Sequence, residues 1–425
     1  KKVNLAKKIM TKEEFLELAA EKWDEIEKKK SSSDSFYDYE KGFDELWVEF
    51  GRRSLEGSLG ELSKDRRKKK NLSRFGHIYM NNSNDWSLTD EFKMTPYMRD
   101  LMLHSGQDDN YADSALNIEK YLRVKADDSQ IHRLCVRYGG ELEAEMEDME
   151  GEVVKASEVF VEDLKPQEVV YGMLDGSMLP TRPVKVEGGE DIGSWKEMKL
   201  GRIFKEQDHL ELGDKPNIIR KSLYVSHFGK HDKFTDKLEP VMDIFEPLGN
   251  RLVLINDGAT WIENWIQSNY PKATNILDFF HASEYLHDFS KIIYPKKGED
   301  TKKKAWIDQQ IKRLLNDEIE QVIVEIEQMD IKGKKRIEVW QKIITYYRNN
   351  QHRMLYKTYR DRGLLIGSGP IESAHRFVFQ KRMKQSGQKW TKQGGQAVAN
   401  LRVVYLNNQW ERVIKLINKA QKKAA

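Results

Sequence analysis

At 425 residues, with 39% hydrophobic and 33% charged residues, the chain is long enough for two or three domains with packed cores beneath a highly charged surface. Its 72 lysines and arginines nearly cancel its 69 aspartates and glutamates, so the net charge of +3 favours no partner and only the distribution of charge is informative. One cysteine, Cys135, excludes an internal disulfide framework and a cysteine-built zinc cage. No apolar run approaches the ~18 residues of a membrane-spanning helix. Residues 1–10 lack the apolar stretch of a signal peptide, so a soluble cytosolic protein with no membrane partner is expected.

Residues 1–90 read as a polar, helical N-terminal region. Thr11 followed by Glu14 forms a capping box for a helix carrying Phe15, Leu18, Trp23 and Ile26, and Ser31-Ser32-Ser33-Asp34 breaks it. The basic run Lys64 to Lys70 is either a solvated linker or a contact for nucleic-acid phosphates. Residues 91–152 form a tri-helical region. Thr95-Pro96 opens a first helix, Tyr111 to Leu122 is a second, and Asp127-Asp128-Ser129 caps a third that runs to Tyr138. The last two fit either a helix-turn-helix or a plain helical hairpin. In the former, Arg133 and Arg137 face DNA while Ile131, Leu134 and Cys135 pack inward. The acidic run Glu141 to Glu152 would repel DNA and closes the region.

From about residue 165 to residue 282 the pattern changes to strands. Strands are expected at Glu168 to Leu174, Trp195 to Leu212 and Ile218 to Phe228, then a helix at Lys230 to Leu248, a strand at Arg251 to Ile255, a helix at Ala259 to Tyr270 and a strand at Ala273 to Phe280. That order is the ribonuclease-H-like one, a mixed α/β sheet with helices on its faces. Residues 283–362 read as a charged, all-helical insertion, and 363–425 as the last part of the core followed by basic helices. From Arg376 onward basic residues vastly outnumber acids, a footprint for nucleic acid.

Two strands are expected to end in Asp-Gly, at Asp175-Gly176 and Asp257-Gly258. Acids at the carboxyl ends of adjacent strands suit Mg²⁺, which takes oxygen ligands and keeps positions open for phosphate. Asp-Gly also commonly marks an ordinary turn, so the pairs alone leave both readings open. A third acid, Glu372, stands near the start of a helix after Gly367-Ser368-Gly369-Pro370, where a carboxylate also simply favours the helix dipole.

These residues lie in strings that resemble a known family. Leu174-Asp-Gly-Ser-Met-Leu-Pro-Thr181, Trp195-Lys-Glu-Met-Lys-Leu-Gly201, Asn256-Asp-Gly-Ala-Thr-Trp-Ile262, Ile276-Leu-Asp-Phe-Phe-His281, Ile366-Gly-Ser-Gly-Pro-Ile-Glu-Ser373 and Lys381-Arg-Met-Lys-Gln-Ser-Gly387 to Trp390 resemble, in order, bacterial insertion-sequence transposases of the Kra type. These proteins have a ribonuclease-H-like core and are distant relatives of Mutator-like elements. The resemblance covers roughly residues 90 to 410 and lacks the Cys-rich zinc stretch with which some members begin.

The resemblance implies a DDE-type transposase whose Asp175, Asp257 and Glu372 hold two Mg²⁺ or Mn²⁺ ions. Its substrates would be double-stranded DNA with terminal inverted repeats and a target duplex, bound by a homodimer or higher oligomer associated with the bacterial nucleoid. His281 of the Asp278-x-x-His281 motif orients a phosphate, bonds an active-site carboxylate, or is half of a structural pair. Lys381, Arg382 and Lys384 would hold phosphates. Trp390 either stacks on a splayed base or packs in the core. A ribonuclease-H-like nuclease or resolvase that cuts without joining, and a catalytically inactive DNA-binding derivative, are the rival readings.

Overall fold

Capping residues locate the first helices. The Thr11 hydroxyl accepts from Glu14 N and the Glu14 carboxylate from Thr11 N, opening α1 (Lys12–Ser32), which stops in the serine run before α2 (Phe36–Ser58). The computed structural model describes residues 9–59, 69–80, 92–148, 160, 162, 164–183, 195–212 and 215–419. The start of the basic run, 64–68, and the end of the acidic run, 149–152, lie outside these. Among the described residues no helix is long and apolar enough to cross a membrane. The chain divides into two compact units, residues 1–145 with 393–425, and residues 146–392.

The first unit is not wholly helical. A hairpin of β1 (Lys69–Ser73) and β2 (Gly76–Met80) follows α2, with Gly76 at φ +93° in its turn. Its strands are short and mostly polar, so they lack a clear alternating pattern; Leu72 and Ile78 are buried on opposite faces, and the polar Asn71 and Ser73 are buried as well. Helices α3 (Pro96–Asp108), α4 (Tyr111–Leu122) and α5 (Asp128–Asp148) follow, the last running ten residues beyond the expected end at Tyr138. Ile131, Leu134 and Cys135 are buried as their spacing requires. Thr95 caps α3 through Met98 N, with Pro96 in its first turn. Thr95→Ala is expected to lower stability by about 1 kcal/mol, read as a shift of the urea midpoint at unchanged slope.

The C-terminal helices Lys392–Leu406 and Glu411–Lys419 join this unit rather than the sheet. Leu401, Val404, Val413, Leu416 and Ile417 enter one apolar cluster with Met98, Leu103 and Leu134. A Cβ on Gly139 would lie 2.2 Å from the Ala397 carbonyl oxygen, so glycine alone permits that approach. Asn400 Nδ2 donates to Gly139 O at 2.9 Å across the same contact. The expected C-terminal segment 363–425 is therefore cut at residue 392, and its Arg402 is buried, donating to Gln107 O instead of facing nucleic acid.

The second unit is built on a mixed five-stranded sheet in the order β7-β4-β3-β8-β9. The strands are β3 (Val170–Pro180), β4 (Trp195–Lys205), β7 (Leu223–Phe228), β8 (Leu252–Asn256) and β9 (Thr274–Leu277). β3, β8 and β9 are parallel, while β4 runs antiparallel to both β3 and β7. The expected strand Trp195 to Leu212 breaks at Glu206–Asp208, and a small hairpin, β5 (His209–Leu212) with β6 (Lys215–Ile219), intervenes before β7.

Even-numbered residues of the parallel strands, Val170, Leu174, Leu252 and Leu254, pack with Phe234, Leu238, Ile262 and Ile266 of α6 (His231–Met242) and α7 (Thr260–Asn269). Strand alternation turns the odd-numbered residues to the opposite face. After β9 the chain is helical through α8 (Phe279–Ile293), α9 (Asp300–Leu314), α10 (Ile319–Glu327), α11 (Lys334–Asn350) and α12 (Tyr356–Asp361). It then returns as α13 (Gly369–His375), continued by a π-helical turn (Arg376–Gln380) and a short α-helical turn to Met383. α13 covers the odd-numbered face: Arg202 of β4 donates to Pro370 O at 2.6 Å, and the Phe377 and Tyr224 rings meet edge-on at 5.9 Å.

Candidate active site

Three acids line up where the parallel strands end. Leu174, Asn256 and Leu277 are in register across β3, β8 and β9, so the next step brings Asp175, Asp257 and Asp278 side by side. Neighbouring strands lie about 4.8 Å apart, which sets the spacing of the row. Asp175 was expected to end its strand. Instead β3 continues to Pro180, because its antiparallel pairing with β4 persists to Trp195 while its pairing with β8 stops at Leu174.

The members of the row differ in what holds them. Asp278 is fully buried and taken up by structure. It accepts from Phe280 N and His281 N at the start of α8, from Ser368 N at 2.9 Å and Ser368 Oγ at 2.7 Å, and contacts His281 Nδ1 at 3.1 Å. Burial opposes its charge, but the His281 and Ser368 hydrogen bonds win and hold the carboxyl below its ordinary range. As an N-cap it also ends β9 at Leu277, short of the expected Phe280.

Asp175 and Asp257 remain open, both only half-buried. Asp257 Oδ1 accepts from Ala259 N at 3.0 Å, and its backbone carbonyl accepts from Tyr346 OH at 2.9 Å. Gly258 has φ +91°, and a Cβ there would come within 2.8 Å of Leu277, so glycine is required for the turn. The Asp175 carboxyl is pushed up to about 6, chiefly by burial and further by the charges of Asp257 and Glu372. Glu372 is exposed in the first turn of α13. The single Ser368 hydroxyl proton goes to Asp278 at 2.7 Å rather than to Glu372 Oε1 at 3.3 Å, which leaves the Glu372 carboxylate the adjustable member.

The structure thus gathers Asp175, Asp257, Glu372 and His281 into one electrostatic neighbourhood. It does not converge them on one point: among the described residues no group of three or more His, Cys, Asp or Glu side chains is set to hold a metal ion. The donor set itself suits a hard divalent cation, being all oxygen, with like charges crowding a half-buried carboxyl that such a cation would relieve.

Asp278, by hydrogen bond, raises the His281 imidazole to about 9, against the opposing effect of burial, so His281 is a cation beside Asp257. A histidine raised from its ordinary 6.5 adds stability that is full below 6.5 and vanishes as pH rises through 9. The stability gap between the native protein and His281→Gln is therefore expected to be widest near pH 6 and closed by about pH 10, in urea midpoints taken across that range. His375, one turn after Glu372, was missed by the sequence reading. It is buried, its Nε2 lies 3.6 Å from Asp175 Oδ2, and burial lowers it to about 4, so it is a neutral ring behind the aspartate. Its only signal was the i, i+3 spacing from Glu372.

The helical insertion is clamped to this edge of the sheet. Tyr346 stacks on Tyr285 of α8 at 3.9 Å, and Tyr347 OH donates to Ala282 O. Arg353, also unforeseen, is buried between Asn256, Asn350 and Glu263.

Two of the expected DNA-binding residues are internal. Arg382 is fully buried with its guanidinium 5.3 Å over the Trp390 ring, and Trp390 Nε1 donates to Met383 O. The Trp390 backbone bridges to Pro180 and Arg182, fixing the pair at the end of β3, so neither contacts DNA from this position. Lys381 is exposed, while Lys384 Nζ donates to Ser177 Oγ at 2.7 Å, two residues from Asp175. Arg133 and Arg137 are exposed on α5, the latter paired with Glu141.

A profile of an uncharacterised protein family, UPF0236, matches residues 213–420, a stretch that holds Asp257, Asp278, His281 and Glu372 and begins after Asp175. A curated protein from Streptococcus gallolyticus, described as a UPF0236 protein in the vanSb 3′ region, is 24% identical over 255 residues, covering 59% of this chain and 52% of its own length. The chain spans about half the length of that relative.

Proposed function

We propose that this chain is a DDE-type DNA transposase with a ribonuclease-H-like core. The observation that carries the reading is the pair Asp175 and Asp257, side by side where the parallel pairing of β3 with β8 ends, with Glu372 brought to the same neighbourhood by α13. The strand order, with β4 alone running against the other four strands of the sheet, supports the ribonuclease-H-like assignment. The six ordered motifs favour transposition over cutting alone.

Asp175, Asp257 and Glu372 would hold two Mg²⁺ or Mn²⁺ ions, which supply an activated water or 3′-hydroxyl and stabilise the leaving oxygen. The chain's own residues do the rest. Gly258 makes the turn that presents Asp257, the space of its missing side chain being taken by Leu277 and Tyr346. His281 sets a positive charge beside Asp257 that scissile phosphate oxygens would meet, and Asp278 fixes its ring. Neutral His375 packs behind Asp175 without competing for a cation. DNA carrying terminal inverted repeats, a target duplex and a second copy of the chain are the proposed partners.

Labelled duplexes from the flanks of the gene, incubated with the protein and Mg²⁺ or Mn²⁺, test this reading. Strand cleavage followed by joined products supports it. Cleavage that never yields joined products makes the protein a nuclease, and no metal-dependent cleavage on any duplex removes the enzyme reading.

A further inference from the structure

Asp175 has a buried neighbour to which the proposed chemistry gives no task. α13 and the π-helical turn after it bury Ile371, Ala374, Val378 and Phe379, an apolar face at helical spacing. His375 stands in that face, 2% exposed, with its ring 6.0 Å from that of Phe379. A leucine would fill the position without burying a polar group, so the imidazole needs a reason. It carries at least one N–H in any protonation state, and a buried N–H without an acceptor is destabilising.

Neither ring nitrogen completes a hydrogen bond among the described residues. The ring faces the backbone and the carboxylate of Asp175, with Nε2 3.6 Å from Oδ2. Two further charged groups near it are engaged elsewhere, Lys384 by Ser177 and Glu197 by Lys199. The other carboxylate oxygen of Asp175, Oδ1, accepts from Gly176 N at 2.7 Å. Asp175 is thus held on one oxygen and stands just outside hydrogen-bond distance of a buried donor on the other. The terminal torsion of an aspartate is broad, so a turn of the carboxylate closes this gap with the backbone unmoved. Each carboxylate oxygen has two lone pairs, so a donor on both still leaves them able to take a cation.

The place of His375 in the chain points the same way. It lies one turn after Glu372, so a bond from His375 to Asp175 ties the helix that carries one open acid to the strand that carries another. At the next residue the helix widens into its π-helical turn, an irregularity found frequently at functional sites.

We propose that His375 is the positioning residue of Asp175: its Nε2–H donates to Asp175 Oδ2 and fixes the carboxylate, and with it the separation from Glu372, for a divalent cation. The inference rests on the proposed metal centre and adds to it a residue that touches neither cation nor substrate. Outer donors of this kind orient the ligands of metal sites, and their loss weakens metal binding about 10–100-fold.

The test is Mn²⁺ binding by the full chain without DNA, followed through the electron paramagnetic resonance of the free ion, beside the urea midpoint of each sample. His375→Leu, which fills the site without a donor, is expected to weaken binding about tenfold or more. His375→Gln, whose amide nitrogen can stand where Nε2 does, is expected to restore most of the loss, which a packing role would not do. If His375→Leu lowers the urea midpoint, His375→Phe, which keeps a ring without a donor, takes its place. Native-like Mn²⁺ binding in the donorless variant, or equal weakening in His375→Gln, overturns the inference and leaves the metal centre standing. No Mn²⁺ binding by the native protein, or binding that Asp257→Ala leaves unchanged, overturns the centre and the inference with it.

Discussion

Replacing Asp257 with alanine is expected to lower metal-dependent strand cleavage at least ~10³-fold, about 4 kcal/mol of transition-state stabilisation. The substitution removes one of the two acids left open in the row, since the third, Asp278, is consumed by its bonds to Ser368, His281 and the start of α8. The fold should survive. The lost Ala259 N contact costs about 1 kcal/mol, while the Tyr346 bond to the Asp257 backbone carbonyl remains. The measurement is single-turnover cleavage of a labelled duplex at saturating Mg²⁺, alongside the urea midpoint of the same sample. Cleavage within tenfold of the native rate would remove Asp257, and with it the proposed centre, from the chemistry.

Arg353→Met should destabilise the second unit by about 3–5 kcal/mol, because it leaves buried partners without a cation. Arg353 is 1% exposed. It donates to Asn350 Oδ1 at 3.0 Å and Asn256 Oδ1 at 2.8 Å, and pairs with Glu263 Oε2 at 2.9 Å. Methionine keeps much of the volume but none of these bonds, and Glu263 is itself only 15% exposed. Asn256 immediately precedes Asp257 and also accepts from Gly258 N, so the loosening begins at the active-site turn. Chemical denaturation gives the loss. Arg353→Met/Glu263→Gln should recover part of it by removing the stranded charge, and the difference isolates the coupling. A loss below about 1 kcal/mol would mean that the insertion is held to the sheet by its aromatic contacts instead.

Legibility followed the range of the signal. α4 and the cap of α3 were readable because a capping side chain and a 3.6-residue period act within a few positions. The apolar strand β8 was readable because it is buried throughout and announces itself as an uninterrupted run. The β1–β2 hairpin was not, because its buried residues are half polar and Leu72 finds its bridging partner, Met94, in a later segment of the chain. Asp278 was visible as part of a motif, but its role was not, since two of its bonds come from Ser368, ninety positions away. For Arg382 and Trp390 local sequence misled: a basic string with an aromatic looks like a nucleic-acid surface, yet here cation and ring pack on each other.

The local sequence by itself determined where helices begin, which strands are buried and that Asp175 and Asp257 each precede a glycine, because capping, burial and turn chemistry are short-range. Only the tertiary structure decided which acids stand free. Register across three parallel strands places Asp175, Asp257 and Asp278 in one row, and hydrogen bonds from a distant loop occupy Asp278 while leaving the other two open.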